Sequence, residues 1–198
     1  MVKAVFVDIE TNGLCPISNV VMDVSVVIVD LNDYSNATAY TACIQLSALE
    51  WINSDPEALS INGFTPQNHD PLCQSWFQVE RDLEKFLIKN GIKCGQAVFI
   101  CQNPGFDKPF FHQIISERRM KALKMPYHWL DLASMYWMKY YGGCSPMSEF
   151  ACHIDLSKDA IAKHLGLEPE EKPHRSLSGA LHLMNCFKLL MCEPRNCK

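Results

Sequence analysis

Asp8 and Glu10 stand one residue apart at the end of an apolar run, Val5-Phe6-Val7-Asp8-Ile9-Glu10-Thr11-Asn12-Gly13-Leu14. In a β-strand alternate side chains share a face, so the two carboxylates are expected to project together from a strand tip. Like charges held that close repel and perturb each other's ionisation, and a divalent cation is a common way to neutralise them. The preceding segment, Ala4 to Val7, is wholly apolar. That is the pattern of a central strand covered on both faces, where an unpaired acid is costly.

Three further pieces could complete a metal site. Asn103-Pro104-Gly105-Phe106-Asp107 follows a short apolar stretch and places Asp107 in the first turn of a helix. The helix dipole alone favours an acid there, so this piece is ambiguous by itself. Trp129-Leu130-Asp131 offers another acid at a strand end, and Pro173-His174-Arg175-Ser176-Leu177 opens a terminal helix with a histidine.

The elements that must position these residues are legible in outline. Val20 to Leu31 and Ala37 to Leu46 read as strands, with Asn32-Asp33 turning between them, so the chain begins as an antiparallel meander. A polar connection runs from 47 to 75. Phe77, Leu83, Phe86 and Leu87 then recur at helical spacing, and Asn90-Gly91 ends that helix. Ala97 to Cys101 reads as a buried strand, 106–120 as a helix, Trp129-Leu130 as a last strand, and 131–140 as a helix. A loop at 141–148 precedes a helix over 158–165, capped by Ser157 or Asp155. The final helix is expected over 175–191, with Leu177, Leu181, Met184, Phe187 and Leu190 inward. Strands first and then strands alternating with helices predict an α/β fold, a mixed sheet covered by helices.

Composition narrows the class. The chain has 198 residues, 48% hydrophobic and 20% charged, the make-up of one soluble globular domain spanning 1–198, with a short tail from about 192. Its formal charge of −4 gives no global positive field for nucleic acid, although a cleft touching few phosphates needs only local charge. The ten cysteines form no CxxC pair, and no leader is evident ahead of Val2. A cytoplasmic protein with reduced thiols is therefore expected. The apolar run Val24 to Val29 is far too short to cross a bilayer, so no membrane partner is expected. The tail cluster Cys186, Cys192, Cys197 and His182 matches no usual zinc spacing.

Taken in order, Asp8-Ile9-Glu10-Thr11-x-Gly13-Leu14, Asn103 to Asp107 and the late His174-Arg175-x-Leu177 resemble the DEDDh, or DnaQ-like, exonucleases of the ribonuclease H-like superfamily. The resemblance covers most of the chain and implies a ribonuclease H-like five-stranded mixed sheet flanked by helices. It also implies hydrolysis of phosphodiester bonds at the 3′ ends of single-stranded DNA or RNA, releasing nucleoside monophosphates. Two magnesium ions, replaceable by manganese, would be held by Asp8, Glu10 and Asp107, and His174 would act as general base. Thr11, Gly13, Leu14, Asn62, Asn103, Phe106 and Arg175 would contact substrate, with Leu14 and Phe106 packing on terminal bases. A homodimer, or a polymerase or repair partner, fits the same resemblance.

One position departs from this pattern. The family's fourth carboxylate stands five residues after the histidine, where this chain has Gly179, and no Asp or Glu occurs from Lys172 to Cys192. The first ion site should be weakened, since even indirect ligand losses cost roughly 10–100-fold in affinity. Water, or His182 one turn further on, could fill the gap. The alternative reading is a weakened or inactive relative that binds nucleic-acid ends or partner proteins, with activity recovered by Gly179→Asp.

Overall fold

A computed structural model describes residues 2–34, 36–141 and 155–192. Five strands form one sheet: β1 (Lys3–Thr11), β2 (Val21–Asp30), β3 (Thr38–Cys43), β4 (Ala97–Cys101) and β5 (Trp129–Asp131). Their order is β3-β2-β1-β4-β5. The first three pair antiparallel as the expected meander, and β4 and β5 join parallel to β1. Most of the expected 141–148 loop and all but the first residue of the tail fall outside the described residues.

β1 lies in the middle of the sheet, and its alternation divides the core in two. Val5, Val7 and Ile9 point to one face, against Val79, Leu83 and Leu87 of α4 (Trp76–Lys89) and Phe110, Phe111 and Ile114 of α5 (Pro104–Ile114). Ala4 and Phe6 point to the other, against Ile161 of α8 (Lys158–His164) and Leu183, Phe187 and Leu190 of α9 (Ser176–Cys192). Continuing the period of two puts Asp8 and Glu10 on the α9 face. The β1–β2 register shifts between Glu10 and Thr11, ending the regular ladder at the acid pair.

Several expected boundaries change. The 47–75 connection carries α1 (Ala48–Ile52), α2 (Pro56–Asn62), α3 (Pro66–His69) and a 3₁₀ turn over Asp70–Leu72. These short helices show no apolar period; their caps make them. Ser47 with Glu50 and Thr65 with Asn68 form reciprocal boxes, and Asp55 accepts from Glu57 N. Phe77 is 80% exposed, and Val79 takes the inward place. The expected 106–120 helix breaks at Ile115, whose backbone is extended, and Ser116 starts α6 (Glu117–Ala122). On α9, Leu181 turns outward and Ala180, Leu183 and Cys186 pack inward instead. Ser157, rather than Asp155, caps α8. No helix among the described residues is long and apolar enough to cross a membrane.

Candidate metal centre

The cleft where β1 and the parallel strand β4 end has a volume of about 440 Å³. Ligand crevices of α/β sheets commonly lie at such carboxyl ends. Asp8, Glu10, Asp107, Lys158, Glu170 and His174 line its polar side, and Leu14, Ile61 and Phe106 its apolar side.

Each wall is fixed locally. Asn103 caps α5 by accepting from Gly105 N at 3.1 Å, which sets Asp107 in the first turn, facing in from beside β4. The start of α9 is tied to β2: Asp23 Oδ2 accepts from Ser176 N at 3.1 Å, and the hydroxyls of Ser25 and Ser176 lie 2.7 Å apart. His174 N donates to the carbonyl of Ile61 at 3.2 Å, linking the histidine to α2. Helix α8 contributes two residues from its first turn. Lys158 reaches the acids, and Asp159 Oδ1 accepts from Glu170 N at 3.0 Å, holding the segment after α8 across the cleft.

Electrostatics here are tense. The Glu10 carboxyl is pushed up to about 8, first by burial and then by Asp8 and Glu170. Asp107 is likewise pushed up to about 8, by burial and then by Asp8. Lys158 Nζ relieves part of this strain, lying 2.8 Å from Asp8 Oδ1 and 2.6 Å from Glu170 Oε2. Burial alone would lower the basicity of the amine, but Asp8 and Glu170 together outweigh it and hold the lysine protonated. Ligand atoms of Glu10, Glu170 and His174 lie within 4.8 Å of one another, and Glu170 Oε1 is buried without a hydrogen-bond partner. Two buried acids, Glu10 and Asp107, whose pKa is raised by burial and by neighbouring carboxylates, beside an imidazole and an unpartnered carboxylate oxygen, are a donor set that fits a divalent cation.

The remaining expected site residues are placed as follows. Thr11 Oγ1 donates to the carbonyl of Gly13 at 2.6 Å, shaping the turn after β1. A Cβ at Gly13 would fall 2.5 Å from Asn19 Cγ, so a side chain there would displace the Asn19 amide from Cys15 N and the carbonyl of Asn12. Asn62 is buried, donating to Thr11 O at 3.1 Å and accepting from Phe64 N at 3.0 Å. Arg175 does not line the cleft: its guanidinium lies 4.2 Å from the Phe64 ring centroid and donates to the carbonyls of Asn62 and His174. Asp131, the acid at the end of β5, is the N-cap of α7 (Leu132–Tyr140), accepting from Ala133 N and Ser134 N at 3.1 Å. His182 is outside the cleft lining, with Nε2 2.9 Å from the Glu168 carbonyl oxygen. Arg119, a basic residue not among those expected at the site, makes a two-pronged pair with Glu84, between α6 and α4 and outside the cleft lining.

Lys158 and Glu170 line the cleft beside the expected acids but belong to none of the motifs read from the sequence. A search for acids on both sides of His174, instead of along its helix alone, would have raised Glu170. The lysine carries no comparable signal.

A scan against protein-family models finds no match. Ribonuclease T of Shewanella denitrificans is 29% identical over 129 residues, 63% of this chain and 55% of that protein. Ribonuclease T of Shigella boydii is 23% identical over 128 residues, 63% of this chain and 58% of that protein. The matched part thus spans a little over half the length of these relatives. Among solved structures, E. coli exonuclease I in complex with a dT13 oligonucleotide superposes with a TM-score of 0.73 at 15% identity, covering 97% of this chain and 41% of that one. Cell-death related nuclease 4 superposes with a TM-score of 0.68 at 12% identity, covering 96% and 63%. The fold is the ribonuclease H-like fold of these exonucleases.

Proposed function

We propose that this chain is a divalent-metal-dependent 3′-to-5′ exonuclease acting on single-stranded nucleic acid. The observation that carries the reading is the meeting of Asp8, Glu10, Asp107 and His174 in one cleft from three distant parts of the sequence. The likeness to ribonucleases T and to an oligonucleotide-bound exonuclease supports it. Asp8, Glu10 and Asp107, with Glu170, would hold magnesium or manganese. When bound, such an ion stabilises charge growing on phosphoryl and leaving oxygens.

The chain's own residues supply the rest. His174 offers an imidazole, the side chain suited to taking a proton from an attacking water at neutral pH. Leu14, Ile61 and Phe106 form an apolar edge on which bases of any sequence could stack. Asn62 and Thr11 set the shape of that edge through their mutual hydrogen bond.

A 5′-labelled single-stranded DNA or RNA, incubated with magnesium or manganese, should shorten stepwise from its 3′ end. Asp8→Asn should abolish this, and shortening that survives the substitution would refute the reading. A second reading, a weakened enzyme that still binds ends, is favoured by Gly179 together with the seating of Asp8 on Lys158. It expects binding of the same strands with little shortening.

A further inference from the structure

We infer that the Lys158 ammonium fills one of the cleft's two cation positions and that Glu170 replaces the acid missing at Gly179, so that the chain holds a single divalent ion. The inference rests on the metal-dependent reading and refines its stoichiometry.

Three observations lead there. First, Lys158 Nζ bridges Asp8 Oδ1 at 2.8 Å and Glu170 Oε2 at 2.6 Å. An ion shared by those two oxygens needs contacts of roughly 2.0–2.6 Å, so it would occupy the place of the nitrogen. Second, a Cβ built on Gly179 would fall 2.1 Å from Asp8 Oδ2 and 2.5 Å from its Cγ. With Asp8 so seated, the carboxylate uses the space that a side chain at 179 would need. An acid at 179 and an Asp8 seated on the lysine are mutually exclusive, and this chain has the second arrangement.

Third, what remains after the lysine is placed is still a ligand set. Glu170 is 5% exposed, and its Oε1 has no hydrogen-bond partner. It shares with Glu10 and His174 a cluster whose ligand atoms are all within 4.8 Å. The two substitutes are built as a unit, since Lys158 and the Asp159 that anchors Glu170 are neighbours in the first turn of α8.

The test is a manganese titration of the full chain, following free manganese by electron paramagnetic resonance, for the unmodified protein, Lys158→Met and Glu170→Gln. Circular dichroism would verify that each is folded. The unmodified chain should bind one ion and Lys158→Met two, while Glu170→Gln should lose affinity by about 10–100-fold or more. Should Lys158→Met fail to fold, Lys158→Arg, which keeps the positive charge, should still bind one ion, and Glu170→Gln stands as an independent arm. Two ions of similar affinity on the unmodified chain, or full affinity in Glu170→Gln, would overturn the inference while leaving the metal-dependent function intact. No binding to any form would overturn both.

Discussion

Gly179→Ala sets two effects of opposite sign against each other. Glycine inside a helix is about 1 kcal/mol less favourable than alanine, so by propensity alone the change should strengthen α9. Gly179 has ordinary right-handed helical geometry, and so no backbone need accounts for it. What accounts for it is space, because the new methyl would fall 2.1 Å from Asp8 Oδ2. Asp8 would have to rotate off Lys158, giving up a charge-assisted hydrogen bond between side chains only 15% and 14% exposed.

A hydrogen bond to a charged group contributes about 1.5–3 kcal/mol, and Lys158 would keep Glu170 as a partner, so the larger cost of stranding a buried charge does not apply. After the alanine gain is subtracted, a net loss of roughly 0.5–2 kcal/mol remains. For a chain of this size that lowers Tm by about 1–8 °C. Thermal denaturation followed by circular dichroism, in chelator so that no ion intervenes, is the assay. A rise in Tm for Gly179→Ala would refute the claim that Asp8 is seated against the helix. The cycle with Lys158→Met sharpens it: without the ammonium nothing holds Asp8 against α9, so the same alanine should cost less or stabilise.

Gly179→Asp supplies the acid expected by analogy but meets the same collision, with a like charge added beside Asp8. Alone it should not raise 3′-end hydrolysis, whereas the pair Gly179→Asp with Lys158→Met should exceed either single variant in a labelled-strand assay; a large gain from Gly179→Asp alone would contradict the steric argument. Asp131→Ala should lower stability by about 0.5–2 kcal/mol through the lost cap on α7 and leave manganese affinity unchanged, as isothermal titration would show. Arg119→Ala should leave binding of a fluorescent oligonucleotide unchanged by anisotropy, because that guanidinium is paired with Glu84 away from the cleft lining; a clear loss of affinity would bring α6 into the interface.

What could be read from the sequence follows the range of the interactions involved. The acid pair of β1 was legible because period-two alternation is local, and an apolar run that ends in Asp-x-Glu sets both acids on one face of the strand tip. Helix starts were legible where a capping residue preceded an apolar period, as at Ser157. They were missed at α1, α2 and α3, where caps act without such a period. Phe77 and Leu181 show the limit of periodicity: Leu83, Leu87, Phe187 and Leu190 face inward as their spacing predicts, while an apolar residue counted with them lies off that face and is exposed.

Lys158 and Glu170 illustrate a different limit. Glu170 precedes Gly179 by nine residues and belongs to no helix, and the hold of Asp159 on its backbone, with the Lys158 bridge to its carboxylate, brings it to the acids of β1. A motif search runs along one helix and scores Gly179 as a missing ligand. In three dimensions the same glycine is room for Asp8 to turn toward a lysine, and the lost carboxylate has a substitute from another segment. Charge balance in the cleft is set by every group that reaches it, so a missing motif residue signals lost function only after its neighbours in space have been counted.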